Sequence, residues 1–320
     1  MRVLVTGGLG FIGSHVVDKL RDRGFEVCIY DLKNGKSVEG VEHYNASLLD
    51  VETLRIAMNG ADAVYHLAAV ADVNDVVADP SYAEMINVRG TLNVLEAARR
   101  AKVRRVIYGS TTWVYSECEG DAVDEDTPPR SPKHLYTTTK LASEMYCMAY
   151  REMYGMETTI LRYGIPYGPR ARGTTVLAIF VQKALRGEPL SIAGDGSQFR
   201  KFIYVEDLAE GNVLALHSVA RNRVYNLDGA EKITIRQIAE TVNKFLGPIR
   251  IEYGPARPGD FAGKEVSTAR AARELAWTPR VPFEEGVRRY IEWLRQASPA
   301  PAVSGWASVD KALAAGVGVS

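Results

Sequence analysis

Two side chains in the middle of the chain have the residue types and the spacing that proton transfer needs. Tyr136 and Lys140 are four residues apart in a segment, 136–154, whose pattern predicts a helix, so they share one face of it. A free phenol has a pKa of about 10, and a nearby ammonium group favours its ionised form, which is a useful general base. Such a base can take the proton of a hydroxyl group while a hydride leaves the same carbon. Because Tyr-x-x-x-Lys is a common spacing, an ordinary surface pair is the alternative.

Hydroxyl groups precede this pair at the end of a predicted strand. The strand at 104–109 runs into Ser110 and Thr111. Open α/β folds bind ligands at the carboxyl edge of their sheet, where a Ser or Thr can hydrogen-bond the reacting oxygen. The alternative is a hydroxyl that only caps the end of the strand.

A glycine-rich turn near the start of the chain has the pattern of a phosphate-binding loop. Gly8, Gly10 and Gly13 form G-x-G-x-x-G between a predicted strand at 2–6 and a predicted helix at 12–23. Small residues let the backbone turn tightly and approach a pyrophosphate, whose charge is met by N–H groups at the helix N-terminus. An ordinary strand-to-helix turn is the alternative.

Asp31 follows the next predicted strand, 26–30. At this position a carboxylate accepts hydrogen bonds from the adenosine ribose hydroxyls and repels a 2′-phosphate. The sequence therefore predicts NAD rather than NADP as the cofactor, with a solvated turn residue as the alternative for Asp31.

The elements that must position these residues alternate between strand and helix. Apolar runs predict strands at 2–6, 26–30, 63–67, 104–109, 158–162 and 202–205, and helical patterns lie between them, notably at 12–23, 50–58, 80–101 and 136–154. This alternation predicts an α/β fold with a doubly wound parallel sheet. Beyond about residue 165 glycine and proline become frequent, with short helical patterns at 175–186, 234–246, 267–275 and 283–296.

We therefore expect two domains and a tail. The first, an NAD-binding Rossmann domain, is expected to comprise 1–170 and about 202–230. A smaller C-terminal α/β substrate-binding domain is expected over about 171–201 and 231–297. The last segment, 298–320, is predicted to be a loosely attached tail.

Composition excludes several classes of partner. Lys plus Arg and Asp plus Glu are both 39, so no net field draws the chain towards nucleic acid or an anionic membrane. No run reaches the roughly 18 apolar residues of a membrane helix, and the first residues do not form a signal peptide. Cys28, Cys118 and Cys147 form no CxxC pair, so reduced thiols and no metal site are expected. We expect a cytoplasmic protein.

The motifs together resemble one family. From residue 1 to about 296 the chain is similar to the extended short-chain dehydrogenase/reductases, specifically the NAD-dependent nucleotide-sugar epimerase/dehydratase family. The matching stretches are TGGLGFIGSH (6–15), YHLAAVADV (65–73), NVRGTLNVLEAAR (87–99), STTWVYS (110–116), YTTTK (136–140), LRYGIPYGP (161–169), GDGSQFRKFIYVEDLAEG (194–211), YNLDG (225–229), RPGD (257–260) and ARELAWTP (272–279).

The resemblance implies roles for individual residues. Thr111, Tyr136 and Lys140 would be catalytic, with Tyr136 as acid and base and Lys140 holding the nicotinamide ribose. The residues that would contact NAD are Gly7, Gly10, Phe11, Ile12, Asp31, Ser47, Leu48, Leu67, Ala68, Ala69, Asn87, Tyr136, Lys140 and Tyr163, and His66 is nominated with them. The substrate contacts would be Thr112, Trp113, Arg200 and Arg257, the two arginines gripping the diphosphate of a nucleotide sugar, with UDP as the expected nucleotide. Family members also commonly form homodimers through helices matching about 84–101 and 137–154.

Departures from the family pattern bear on the reaction. Relatives that eliminate or decarboxylate carry carboxylates just after the catalytic Thr, where this chain has Thr112 and Trp113. The resemblance therefore favours a 4-epimerase of the UDP-glucose/galactose or UDP-glucuronate/galacturonate type, which retains NAD through a 4-keto intermediate. A dehydratase, decarboxylase or 4-ketoreductase of the same family is the alternative, and a non-catalytic cofactor-sensing protein is another. Ser47 and Ile165 stand where many members carry an Asp that contacts adenine and an Asn that contacts the diphosphate, and Lys201 replaces a common Asp.

Overall fold

The computed structural model describes residues 1–34, 40–256 and 263–297 and divides the chain into two compact units. The first unit comprises residues 1–166, 201–230 and 264–280, as far as they are described. The second unit contains, among the described residues, 167–200, 231–256, 263 and 281–297.

The described chain contains strands and helices in the following order. The strands are β1 (Arg2–Thr6), β2 (Glu26–Asp31), β3 (Glu42–Asn45), β4 (Ala63–His66), β5 (Arg105–Thr111), β6 (Ala122–Val123), β7 (Glu157–Tyr163), β8 (Ile165–Tyr167), β9 (Leu190–Ala193), β10 (Phe199–Tyr204), β11 (Arg223–Leu227), β12 (Lys232–Thr234), β13 (Ile251–Gly254) and β14 (Glu265–Val266). The α-helices are α1 (Phe11–Asp22), α2 (Val51–Ala57), α3 (Val73–Ala78), α4 (Pro80–Glu84), α5 (Gly90–Arg100), α6 (Leu135–Tyr154), α7 (Val176–Leu185), α8 (Val205–Leu214), α9 (Ile235–Leu246), α10 (Ala269–Leu275) and α11 (Phe283–Ala297).

A seven-stranded sheet forms the centre of the first unit, with the strand order β11-β7-β5-β4-β1-β2-β3. Every neighbouring pair in this order is parallel. The order reverses between β1 and β4, which is the switch point where doubly wound sheets bind ligands. All seven residues of β5 are buried, as expected for a central strand covered on both faces.

Helices cover both faces of this sheet. One core contains Val16, Val17 and Leu20 of α1 together with Leu208 of α8. The other core contains residues of α2, α5 and α6, among them Leu54, Val94, Leu95 and Cys147. The prediction of an α/β fold with a doubly wound parallel sheet is confirmed.

Both edges of the sheet differ from the prediction. At one edge lies β3 (Glu42–Asn45), over which no strand is predicted, and at the other edge a different segment takes the predicted place. The apolar run at 202–205 predicts a further strand of the parallel sheet, but the strand there, β10, lies outside the seven-stranded sheet. The edge position belongs to β11, which pairs with β7 from Arg223↔Thr159 to Leu227↔Tyr163. Both segments are short, and nothing local tells which of them will pair with β7.

Residues 264–280 also differ from the expected domain boundary. The expected second domain, 231–297, includes them, whereas they pack on the first unit. Trp277 is 2% exposed and donates from its indole nitrogen to the carbonyl oxygen of Asp207 at 2.9 Å. The hydroxyl of Tyr225 likewise donates to Glu274 at 2.8 Å. These buried contacts hold the segment against α8 and β11.

The second unit has its own local stabilisation. Thr234 and Gln237 form a reciprocal capping box at the start of α9. β9 and β13 pair in parallel from Leu190↔Ile251 to Ala193↔Gly254. Among the described residues, no helix is long and apolar enough to cross a membrane.

Candidate active site

The glycine turn is packed so closely that side chains are excluded from it. Gly7 has a φ of +72°, and a Cβ there would lie 2.7 Å from the backbone nitrogen of Ala68. A Cβ on Gly13 would lie 2.0 Å from the carbonyl oxygen of Gly7. The N-cap of α1, Gly10, makes no side-chain capping bond, so Phe11 and Ile12 begin a helix whose N-terminus is open to an anion.

Asp31 is held beside this turn. It ends β2, is 8% exposed, and accepts hydrogen bonds from the backbone nitrogens of Leu9 and Lys33, both at 2.9 Å. A carboxylate oxygen can accept more than one hydrogen bond, so both oxygens keep capacity for ribose hydroxyls. The turn and the carboxylate are thus connected through Leu9.

The loops after β3 and β4 lie at the same edge of the sheet. The carbonyl oxygen of Ser47 accepts from the hydroxyl of Tyr30 at 2.8 Å, which ties this loop to β2. The Leu48 side chain is buried in the core, so only its backbone can reach a cofactor. Leu67, Ala68 and Ala69 follow β4, and all three are partly exposed.

His66, nominated with the cofactor-lining residues, has its ring buried beneath the site instead. It is 1% exposed, with Nδ1 2.8 Å from the hydroxyl of Thr6 and Nε2 2.9 Å from that of Thr91. Because Thr91 donates to the carbonyl oxygen of Asn87 at 2.6 Å, it accepts from Nε2, which assigns the proton to that nitrogen. Burial, together with the charge of Lys140, lowers the His66 pKa to about 3.

Asn87 continues this hydrogen-bonded chain to the helix that carries Tyr136. It lies in a π-helical turn, Met85–Arg89, and is 2% exposed. Its side chain accepts from the nitrogen of Val70 at 2.8 Å and donates to the carbonyl oxygen of Val70 at 2.9 Å and to the hydroxyl of Thr139 at 3.0 Å. The amide therefore connects the loop after β4 to α6.

Thr111, Thr112 and Trp113 lie where β5 ends. Thr111 is the last residue of β5, and Thr112 and Trp113 begin a 3-10 turn that extends to Tyr115. The hydroxyl of Thr111 accepts from the backbone nitrogen of Trp113 at 3.2 Å. The rings of Trp113 and His134 meet edge to face, with 5.6 Å between their centroids. His134 is the N-cap of α6, two residues before Tyr136.

Tyr136 and Lys140 lie on the first two turns of α6, as their spacing predicts. Lys140 is 4% exposed and donates from Nζ to the carbonyl oxygen of Gly109 at 2.8 Å. Its Nζ lies 4.9 Å from the ring centroid of Tyr108 and 6.0 Å from that of Tyr136. Burial lowers the Lys140 pKa to about 8, against the opposing effect of Glu144.

The remaining candidates are distributed over the chain. Tyr163 ends β7 opposite Thr111, and its hydroxyl donates to Asn212 at 2.6 Å. Arg200 belongs to the second unit, where it donates to the carbonyl oxygen of Phe199 at 2.8 Å. Arg257 lies outside the described residues.

A buried ion pair beneath the site is missing from the sequence-based prediction. Arg162 donates to both carboxylate oxygens of Glu144, at 3.1 Å from Nε and 2.7 Å from Nη2, and the side chains are 3% and 0% exposed. The one sequence feature that could have drawn attention to Glu144 is its position four residues after Lys140, on the same helix face.

Comparison with known proteins identifies the family. The model of the NAD dependent epimerase/dehydratase family matches residues 3–228. The chain belongs to this family. The UDP-glucose 4-epimerase of Mycolicibacterium smegmatis is 32% identical over 315 residues, which cover 93% of this chain and 100% of that protein. UDP-glucuronic acid decarboxylase 1 of Danio rerio is also 32% identical, over 91% of this chain and 72% of its own length.

Solved structures give the same family and the cofactor. The UDP-glucose 4-epimerase of Thermotoga maritima, solved with UDP-glucose, has a TM-score of 0.87 and 33% identity over 93% of this chain and 99% of its own. The UDP-glucose 4-epimerase of Thermus thermophilus, solved with NAD, has a TM-score of 0.85 and 36% identity over 93% of this chain and 100% of its own. NAD is the cofactor of this epimerase/dehydratase chain, as its sequence predicts.

The residues present fit NAD. The excluded Cβ positions at Gly7 and Gly13 leave a backbone cradle at the start of α1, which suits a pyrophosphate. The Asp31 carboxylate beside that cradle suits an unphosphorylated ribose.

Proposed function

We propose that this protein is a nucleotide-sugar 4-epimerase, acting on UDP-glucose and UDP-galactose or on UDP-glucuronate and UDP-galacturonate. One observation carries the proposal. The turn after Thr111 presents Thr112 and Trp113, and neither can act as a carboxyl acid or base. The same site retains Thr111, Tyr136 and Lys140, so it has the groups for reversible oxidation and lacks, on that turn, the carboxylates for elimination.

The proton steps follow from the residues themselves. The Tyr136 phenolate takes the proton of the C4 hydroxyl, and the Thr111 hydroxyl hydrogen-bonds the C4 oxygen. Protonated Lys140 stabilises the phenolate by its positive charge. NAD, when bound, supplies a hydride acceptor and donor at C4. After the 4-keto sugar has rotated, Tyr136 returns the proton to the oxygen, so the product is an isomer and the cofactor is unchanged.

Two carboxylates near the turn already bind other groups of the protein, which supports epimerisation without an elimination step. Glu117 forms an ion pair with Lys133. Glu125 accepts a hydrogen bond from the backbone nitrogen of Asn226 at 2.8 Å, and its side chain is 2% exposed. Neither is placed as a free acid or base for elimination at C5 and C6.

The assignment of ligand contacts belongs to the same proposal. NAD is held by the candidate residues of the first unit, Ser47 included, and the UDP-sugar by Thr112, Trp113, Arg200 and Arg257.

Exposed apolar side chains on α6 support a homodimer, because Met145 is 59% and Met153 70% exposed. Leu95 of the expected interface is instead buried within the chain. A cytoplasmic location is proposed from the sequence.

A panel of substrates tests the proposal. Purified protein is incubated with UDP-glucose, UDP-galactose, UDP-glucuronate and the UDP-N-acetylhexosamines, and products are identified by NMR. Inversion at C4 of at least one sugar, without net consumption of NAD, is the expected result. Release of carbon dioxide, a stable 4-keto-6-deoxy sugar or stoichiometric use of NADH would contradict it and identify a decarboxylase, dehydratase or reductase.

A further inference from the structure

Glu144 is the centre of a buried cluster that joins several elements of the candidate site in the first unit. It lies on α6 eight residues after Tyr136 and four after Lys140, so the three side chains share one face. Its carboxylate accepts from the hydroxyl of Ser110, the residue before Thr111 in β5. It also accepts two hydrogen bonds from Arg162, the residue before Tyr163 in β7.

Arg162 extends the cluster to the turn that carries Trp113. Its Nη1 donates to the hydroxyl of Tyr115 at 2.6 Å, and Tyr115 is the last residue of that turn. The Tyr115 hydroxyl in turn donates to the side-chain oxygen of Asn226 at 3.0 Å. One carboxylate thus joins α6, β5 and β7 directly and the turn through Arg162.

The charges around Lys140 give Glu144 a second effect. The titratable groups that face Lys140 come from its own helix and from β4 and β5, and they are Tyr136, Glu144, Cys147, His66 and Tyr108. Burial lowers the pKa of His66 to about 3 and raises those of Cys147 and Tyr108, so these three are uncharged at neutral pH. Apart from Tyr136, which is a phenolate during the proposed reaction, Glu144 is therefore the anion that faces Lys140 among these described groups. Arg162 is a second buried cation behind it.

We infer that Glu144 is a positioning residue for the proposed reaction: it keeps buried Lys140 protonated and holds α6 in register with the strand ends that carry Thr111 and Tyr163. This inference rests on the proposed epimerase function for its effect on catalysis. It concerns the charge state of Lys140, which can be measured without any substrate. A carboxylate with no role beyond stability would leave that charge state unchanged.

Two substitutions should shift the titration midpoint of Lys140 in opposite directions. Glu144→Gln removes the anion with little change of shape, and we expect the midpoint of Lys140 titration to fall by about one pH unit or more. Arg162→Met removes the cation behind it, and we expect the midpoint to rise. If one variant fails to fold, the other still tests the inference.

The chain offers a matched control at the opposite end of the same two strands. Arg105 of β5 and Glu157 of β7 form an ion pair with a nitrogen–oxygen distance of 3.1 Å, and the Arg105 side chain is 5% exposed. Glu157→Gln leaves a buried arginine without its carboxylate, as Glu144→Gln does, but far from Lys140 along both strands. We expect it to lower stability and to leave the Lys140 midpoint unchanged.

The experiment is an NMR titration of holoenzyme labelled with ¹³C-lysine, in which the Lys140 signal is identified by its loss in Lys140→Met. The alkaline limb of the pH profile of kcat is the second measurement and should move to lower pH in Glu144→Gln. An unchanged Lys140 midpoint in every one of the two variants that folds overturns the inference. If the midpoint moves as expected but wild-type protein epimerises no sugar, the proposed function fails and the effect of Glu144 on Lys140 stands.

Discussion

The Nζ atom of Lys140 lies 2.8 Å from the carbonyl oxygen of Gly109, inside the core of the first unit. This bond fixes the second turn of α6 against β5, two residues before Thr111. It places an ammonium group in an environment where burial lowers its pKa to about 8. The arrangement that serves the proposed chemistry therefore destabilises the fold at neutral pH.

Replacement of Lys140 should remove the destabilisation that its buried charge causes. The pKa of Lys140 is 10.5 in the unfolded chain and about 8 in the folded protein. Burial of the charged lysine therefore costs the full unfolding free energy of this shift below pH 8, and the cost diminishes between pH 8 and 10.5. Lys140→Met should raise the unfolding free energy of NAD-free protein at pH 7 by up to about 3 kcal/mol. The gain should shrink towards pH 10.5. Urea unfolding at several pH values checks this, with exposed Lys133→Met as the control. The prediction would be contradicted if Lys140→Met were less stable than wild type at pH 7 and the difference in unfolding free energy did not change with pH.

Tyr136→Phe isolates the acid and base of the proposed reaction. The substitution removes one hydroxyl and keeps Lys140, so NAD should remain bound while kcat falls about 10²–10⁴-fold. Rates of C4 inversion and the NAD content of the purified protein are the measurements. Tyr146→Phe, at an exposed position on the same helix, is the control and should keep its activity. Full activity in Tyr136→Phe would exclude it as the base.

Gly13→Ala tests the cradle at the start of α1. Its Cβ would meet the carbonyl oxygen of Gly7, which accepts a hydrogen bond from the nitrogen of Gly10 at 2.9 Å. The turn would have to open, so the variant should lose bound NAD and melt at a lower temperature. Gly254→Ala is the control, because its Cβ has its nearest neighbour at 3.9 Å. Equal NAD content in the two variants would show that this turn does not hold the cofactor.

The protein should lose stability in acid, because the His66 ring is buried in its neutral form. Its folded pKa is about 3, whereas the unfolded ring has a pKa of 6.5, so the unfolded state takes up a proton first as pH falls. Stability contributed by the neutral ring is present above pH 6.5 and is lost towards pH 3. His66→Gln should flatten the dependence of unfolding free energy on pH between 6.5 and 4, by up to about 1.4 kcal/mol per unit.

The control for this prediction is His217→Gln at an exposed histidine, which should keep the steep acid dependence because His66 is still present. Equal slopes in wild type and His66→Gln would mean that the buried ring is not the group that titrates on unfolding.

Local patterns in the sequence were sufficient for much of the site. The glycine turn, Asp31 and the Tyr136/Lys140 pair are each encoded within a short stretch of one strand, turn or helix, and their elements formed close to the expected bounds. The parallel sheet could be predicted because its inner strands, such as β1, β2 and β5, contain near-continuous apolar runs.

Non-local contacts could not be predicted in the same way. Ser110 and Glu144 are 34 residues apart, and His66 and Thr91 are 25 apart, so no spacing rule joins them. The same reason explains why β11 was missed as the sheet edge, since pairing with β7 depends on how the whole chain is folded. The burial of the His66 ring could not be foreseen either, because a buried and a ligand-facing histidine look identical in sequence.

We expect C4 inversion by this protein to proceed by reversible oxidation at C4, with the hydride retained by the protein–NAD complex. The most direct test is to incubate the holoenzyme with the accepted UDP-sugar carrying deuterium at C4 and to follow both epimers by NMR. Deuterium should stay at C4 of the inverted product without exchange with solvent, and inversion should be slower than for the unlabelled sugar. Appearance of solvent hydrogen at C4 of the inverted sugar would contradict it.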